Sequence, residues 1–102
     1  MYKVIGILKR PEGMSLEAFH TWWLQEHANL VKKWPGLKKY AINLATSGDQ
    51  RYDGVAEVWF DSKEDIDKIF STPEGQTARQ SATSHSGEIV IVLTKEHVVV
   101  EG

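Results

Sequence analysis

Four histidines and no cysteine carry the chemistry available near neutral pH in this chain of 102 residues. His27 is the one placed most unusually. It falls inside Phe19-His-Thr-Trp-Trp-Leu-Gln-Glu-His-Ala-Asn-Leu-Val-Lys-Lys-Trp34, an aromatic-rich stretch with helical periodicity. At about 100° per residue from Leu16, Trp23, His27, Leu30 and Trp34 all point within about 40° of one direction. Trp22, Gln25 and Glu26 fall beside or behind that stripe. Glu26, adjacent in sequence, points away from His27 and is no partner for it. Burial disfavours the charged imidazole, and a neutral imidazole is what a general base needs. The plain alternative is a structural histidine bonded to a backbone carbonyl.

Tyr40 follows the Pro35-Gly36 stop and opens the next strand. Its phenol can donate a hydrogen bond to a developing oxyanion, or it is a core tyrosine with its hydroxyl at the rim. Trp23, Trp59 and Phe60 are candidates for the walls of a flat apolar pocket, unless they simply fill the core. Arg51 is placed to meet a substrate carboxylate. His85 lies in a small polar stretch that could close over a pocket, with an exposed surface histidine as the competing reading. His97 offers less. His20 and His27 are two turns apart, too far for the joint ligation of an i, i+4 pair. No His/Asp/Glu spacing marks a metal site, and neither a phosphate-binding glycine loop nor a nucleophile elbow is present. The expected chemistry is proton transfer without metal or organic cofactor.

The elements that must position these groups are legible along the chain. Tyr2–Leu8 is nearly continuously apolar and reads as a strand covered on both faces, with Gly6 leaving room for a ligand or a close backbone. Ser15 caps a helix expected over 16–33, which Pro35 and Gly36 end. Residues 37–44 alternate as a strand with Tyr40, Ile42 and Leu44 on one face. A polar loop leads to a third strand over 55–60, where Glu57 shares a face with Val55 and Trp59, opposite Ala56, Val58 and Phe60. Asp61 or Ser62 starts a short helix through about Phe70. Thr72-Pro73 starts another turn or two, through about Ser81. Residues 81–87 read as a loose end, and Glu88–Val100 as a bent strand or a strand with an extended tail that pairs with another subunit.

The order is β-α-β-β-α-β, the ferredoxin-like α+β arrangement, in a single domain over residues 1–102. Every strand is apolar on both faces, yet the helices can cover only one. A second copy covering the other face gives a homodimer, a barrel of two sheets.

Composition narrows the function. The chain is 41% hydrophobic and 25% charged, as ordinary globular proteins are. Fourteen acids against 12 bases give a net charge of −2, which argues against nucleic acid as partner. The one basic cluster, Lys32, Lys33, Lys38 and Lys39, suits a helix C-terminus. The lack of cysteine excludes disulfides, thiolate zinc sites and a cysteine nucleophile. With no signal-peptide pattern and no apolar run near the ~20 residues of a membrane helix, the expectation is a cytoplasmic protein that does not engage membranes.

Pro11-Glu-Gly-Met-Ser-Leu-Glu-Ala-Phe19, Trp23, His27, Pro35-Gly-Leu37 and Tyr40 together resemble the EthD family of dimeric α+β barrel proteins. Asp53-Gly-Val-Ala-Glu-Val-Trp-Phe-Asp-Ser62 is similar to that family's third strand and helix start. The likeness spans almost the whole chain and is strongest to the methylmuconolactone isomerases. It implies a ferredoxin-like subunit, a homodimer, and a small-molecule cavity between sheet and helices. It also implies cofactor-free chemistry on small aromatic or lactone-like compounds, with His27 and Tyr40 at positions for proton transfer or substrate binding. The absence of cysteine and the small, polar Ser81–Ser86 stretch depart from that pattern. Two other functions fit the residues: a non-catalytic accessory that binds a small molecule in a degradation pathway, and a haem-binding monooxygenase with His27 or His85 as axial ligand.

Overall fold

The computed structural model describes residues 1–102. Its elements are β1 (Tyr2–Lys9), α1 (Leu16–Trp22), a π-helical turn (Trp23–His27), α2 (Ala28–Val31), β2 (Lys39–Leu44), β3 (Gly54–Phe60), α3 (Lys63–Ile69), α4 (Pro73–His85) and β4 (Glu88–Lys95). The sheet order is β2-β3-β1-β4, with every neighbouring pair antiparallel. This is the ferredoxin-like α+β arrangement.

The caps sit where side-chain chemistry requires them. Ser15 Oγ accepts from Ala18 N at 3.0 Å, Ser62 Oγ from Asp65 N at 3.2 Å, and Thr72 Oγ1 from Gly75 N at 3.0 Å. Each supplies a partner for a helix N–H that has none within the helix. Gly36, at φ +79°, takes the left-handed conformation that turns the chain from α2 into β2. Two elements differ from the periodicity reading. The stretch expected as a loose end is helical, because α4, once capped by Thr72 and Pro73, continues through His85. The final strand ends at Lys95, and Val98, Val99 and Val100 are exposed beyond it.

All the helices pack on one face of the sheet. Strand alternation gives that face Val4, Gly6 and Leu8 of β1, Tyr40 and Ile42 of β2, Ala56, Val58 and Phe60 of β3, and Ile89 and Ile91 of β4. The core beneath the helices falls into two clusters. One gathers Val4, Val31, Trp34, Val58, Phe60, Ile66, Ile69 and Ala78. The other gathers Leu8, Phe19, Trp22 and Trp23.

An ion pair between the half-buried Arg10 and the buried Asp53 locks the loop before β3. Asp53 accepts from the Arg10 backbone N–H at 2.6 Å and from Arg10 Nη1 at 2.9 Å. His20 Nε2 donates to the Asp53 carbonyl at 2.8 Å. His20 thereby ties α1 to the loop that leads into β3.

Candidate functional site

Between the two core clusters lies a cavity of about 450 Å³, mostly apolar and open to one side. Its size and lining suit a small organic ligand. Val4, Val31, Trp34, Val58 and Ala78 come from one cluster, Leu8 and Trp23 from the other. The space exists because small residues stand where large ones would fill it. Gly6 is on the floor, and Ala78 and Ala82 lie one turn apart on α4. A Cβ at Gly6 would meet only Ile91 Cδ1, at 3.6 Å, so the room beside that glycine is real.

His27 lines the cavity and is 7% exposed. Its Nδ1 lies 3.2 Å from Ser81 Oγ on α4. Its ring stacks on Trp22, with centroids 5.0 Å apart, and His85 also stacks on Trp22, at 5.1 Å. Burial pulls the His27 pKa down to about 4, with a smaller contribution from repulsion by His85. The ring is therefore neutral at physiological pH.

Tyr40 lines the same cavity. Burial pushes its hydroxyl up to about 12, and the approach of the Trp23 side chain, short of hydrogen-bond geometry, opposes the shift. The phenol is therefore neutral as well. The Tyr40 hydroxyl and Trp34 Nε1, on another wall of the cavity, are both buried without a hydrogen-bond partner in the protein. An unpaired buried polar group costs about 1–3 kcal/mol, so two around one cavity call for an explanation.

The π-helical turn explains how so many aromatics reach this region. Ala28 N–H bonds to Trp23 O, one residue further back than in an α-helix. The extra residue shifts the inward face by one position. Trp22, expected beside or behind the stripe, is 6% exposed, and Val31 rather than Leu30 is fully buried. Single π turns recur at functional sites, and this one spans Trp23 to His27.

The other sequence candidates are placed as follows. Trp23 lines the cavity, packed over Gly54, where a Cβ would meet Trp23 Cζ3 at 2.5 Å. Trp59 points from the opposite face of the sheet, because it alternates with Val58 and Phe60. There its Nε1 donates to Glu96 at 3.1 Å, and Lys3 and Lys39 lie over its ring at 4.7 and 4.6 Å. Trp59 therefore corrects the expectation of a pocket wall. Phe60 is on the helix side but fully buried in the core against Trp34, outside the cavity lining. Arg51 is exposed and pairs with Glu88 at 3.3 Å, away from the cavity lining. His85 stands exposed at the end of α4, where its Nδ1 donates to Ser81 O at 2.9 Å. It touches the site through Trp22.

Sequence reasoning missed Trp34 as a cavity wall, Ser81 as the partner of His27, and Arg79 and Thr83 as lining residues on α4. The Trp34 position on the His27 stripe was a usable signal. Nothing local marked the other three. No three His, Cys, Asp or Glu side chains gather to hold a metal ion, and no helix is long and apolar enough to cross a membrane.

A four-stranded antiparallel sheet with helices on one face and a cavity between them defines an α+β protein of the ferredoxin-like class. Residues 11–83 match the EthD domain, and the chain belongs to the EthD family. It is 28% identical over 103 residues to an uncharacterized 11.0 kDa protein from the thcB–thcC intergenic region of Rhodococcus erythropolis, covering 97% of this chain and 98% of that one. The fold matches an ethyl tert-butyl ether d (ethd) family protein of Bacillus halodurans with a TM-score of 0.85 at 24% identity, over 95% of this chain and 99% of the other. It also matches a dimeric ferredoxin-like protein of unknown function from Bacteroides fragilis, with a TM-score of 0.71 at 16% identity over 93% and 95% of the two chains.

Proposed function

We propose that this protein is a cofactor-independent enzyme that moves a proton on a small carbonyl, lactone or aromatic metabolite, as an isomerase, cyclase or decarboxylase does. One observation carries the reading. A neutral imidazole and a neutral phenol line the same apolar cavity. In the isomerase form, His27 takes the proton from the carbon next to the carbonyl, and the electron pair moves onto the carbonyl oxygen. Tyr40 donates a hydrogen bond to that oxygen, and when a C=C is conjugated with the enolate the pair returns from oxygen through it and the far carbon takes the His27 proton. Ser81 makes His27 a competent base in one tautomer, with Nδ1–H donating to Ser81 Oγ and Nε2 keeping its lone pair. Trp23 and Trp34 form walls that exclude water. The test is solvent-deuterium incorporation into small cyclic ketones, lactones and phenols, followed by NMR. The His27→Gln variant is expected to lose on the order of 10²–10⁴ in exchange rate with its fold intact. Unchanged exchange would refute the role of His27.

A second reading has its own support. A base with a pKa of about 4 lies well below the range that suits proton transfer near neutrality. A non-catalytic binding protein of a degradation pathway needs only the cavity. It predicts thermal stabilisation by ligand with no exchange and no turnover.

The working unit we propose is a homodimer of one-domain subunits spanning residues 1–102. The helix-free face of the sheet carries Ile5, Ile7, Val55, Val90 and Val92 at its centre, an apolar surface that a second copy covers well. The Bacteroides fragilis protein of the same fold, described as dimeric, supports this assembly.

A further inference from the structure

The chain has three arginines. Arg10 is paired with Asp53 at 2.9 Å and Arg51 with Glu88 at 3.3 Å. Arg79 has no carboxylate within ion-pair distance, and it is the only lining residue of the cavity with a permanent charge. No Asp or Glu side chain lines the cavity. Arg79 is exposed on α4 between the small residues Ala78 and Ala82, so it flanks the open side rather than the floor.

The remaining polar groups around the cavity are mixed: Trp34 and Tyr40 carry donors, while His27 Nε2 keeps a lone pair in the tautomer described above. Trp34 Nε1 can only donate, and Tyr40 Oη and Trp34 Nε1 both lack a protein partner. Thr83 spends its hydroxyl proton on the Arg79 carbonyl at 2.9 Å, which leaves its oxygen able only to accept. The one-sided feature of the lining is therefore its charge, and a mostly apolar cavity with a lone cation at its mouth is complementary to an apolar molecule with one anionic end.

Resting on the reading of this cavity as a ligand site, we infer that Arg79 selects a small organic acid. The carboxylate sits at the mouth on the Arg79 guanidinium, whose planar fork suits a two-oxygen anion. The apolar ring or chain lies along Gly6, Ala82, Ile89 and Ile91. The far end of the molecule packs against the Trp34 and Tyr40 side chains.

The experiment compares acids with their isosteric neutral amides by calorimetry at low ionic strength: benzoate with benzamide, 4-hydroxybenzoate with 4-hydroxybenzamide, and phenylacetate with phenylacetamide. The expected result is that at least one acid binds more than tenfold tighter than its amide. In Arg79→Gln that preference falls to within twofold, and Arg79→Lys restores part of it. Circular dichroism checks that the variants keep the native fold, as an exposed residue allows. Amides binding as tightly as acids, or an acid preference that survives Arg79→Gln, overturns the role of Arg79 while leaving the cavity reading in place. If neither acids nor amides bind the wild-type protein, both the role of Arg79 and the small-aromatic reading of the cavity fall. Binding requires no turnover, so loss of catalysis in a His27 variant does not bear on this result.

Discussion

His27 Nδ1 and Ser81 Oγ lie 3.2 Å apart, joining the π-helical turn to α4 across 54 positions of sequence. This contact sets the orientation of the imidazole in the cavity wall. Replacing Ser81 with Ala removes the partner and leaves the ring otherwise as tightly packed. The expected cost is about 1 kcal/mol of stability. The sharper readout is nitrogen NMR of His27. The wild-type ring is expected to be protonated at Nδ1, and Ser81→Ala to shift population toward the Nε2–H tautomer. A wild-type ring already protonated at Nε2 would be unable to act as the base at that nitrogen.

The buried imidazole also predicts how stability responds to acid. His27 has a folded-state pKa of about 4 against an ordinary value of 6.5. Between those values the unfolded chain takes up a proton that the folded one does not, so stability falls as pH drops from about 6.5 to 4. The full span corresponds to about 3 kcal/mol at 1.36 kcal/mol per pKa unit. In His27→Gln this contribution disappears and the profile over the same window flattens. Urea titrations at pH 4, 5, 6 and 7 measure it, and parallel profiles for the two proteins would contradict the burial argument.

Much of this arrangement was legible in the sequence, and the exceptions have physical causes. Ser15, Ser62, Thr72-Pro73 and Gly36 announced the helix ends because capping is local chemistry. His27 and Tyr40 could be singled out because a polar group on an apolar stripe is visible in one dimension. Trp22 and Leu30 were misplaced because a π turn adds a residue without marking the sequence. Trp59 was grouped with Phe60 as a pocket wall even though strand alternation had already put them on opposite faces. Ser81, Arg79 and Ala82 could not be found, since their importance comes from α4 crossing over the first helical segment.

Two glycines make opposite predictions. A Cβ at Gly54 would meet Trp23 Cζ3 at 2.5 Å and the Asn43 carbonyl oxygen at 2.8 Å. The backbone cannot yield cheaply, so Gly54→Ala is expected to cost about 1–3 kcal/mol and to displace the Trp23 wall. At Gly6 the only neighbour within 4 Å is Ile91 Cδ1 at 3.6 Å. Gly6→Ala is expected to fold normally, with stability unchanged or raised by up to about 1 kcal/mol. Its added methyl narrows the cavity, so ligand affinity falls while thermal stability does not. A Gly54→Ala protein as stable as wild type would show that Trp23 moves freely, against the packing described above.

The last prediction concerns the face of the sheet without helices. Val92 is 43% exposed and lies across from Ile5, with Ile7 and Val90 forming the next pair. The charged group beside them is self-contained, with Lys3 bridging Glu57 and Glu96 at 2.9 Å each. A second copy can therefore cover the apolar centre without burying an unpaired charge. Val92→Asp places a carboxylate in that centre and is expected to convert a dimer to a monomer at micromolar concentration in sedimentation velocity. The substitution lies on the opposite face from the cavity, so the folded monomer should retain the His27 environment. A wild-type protein that sediments as a monomer at hundreds of micromolar would sink the dimer. A Val92→Asp protein that stays dimeric would move the interface away from this face.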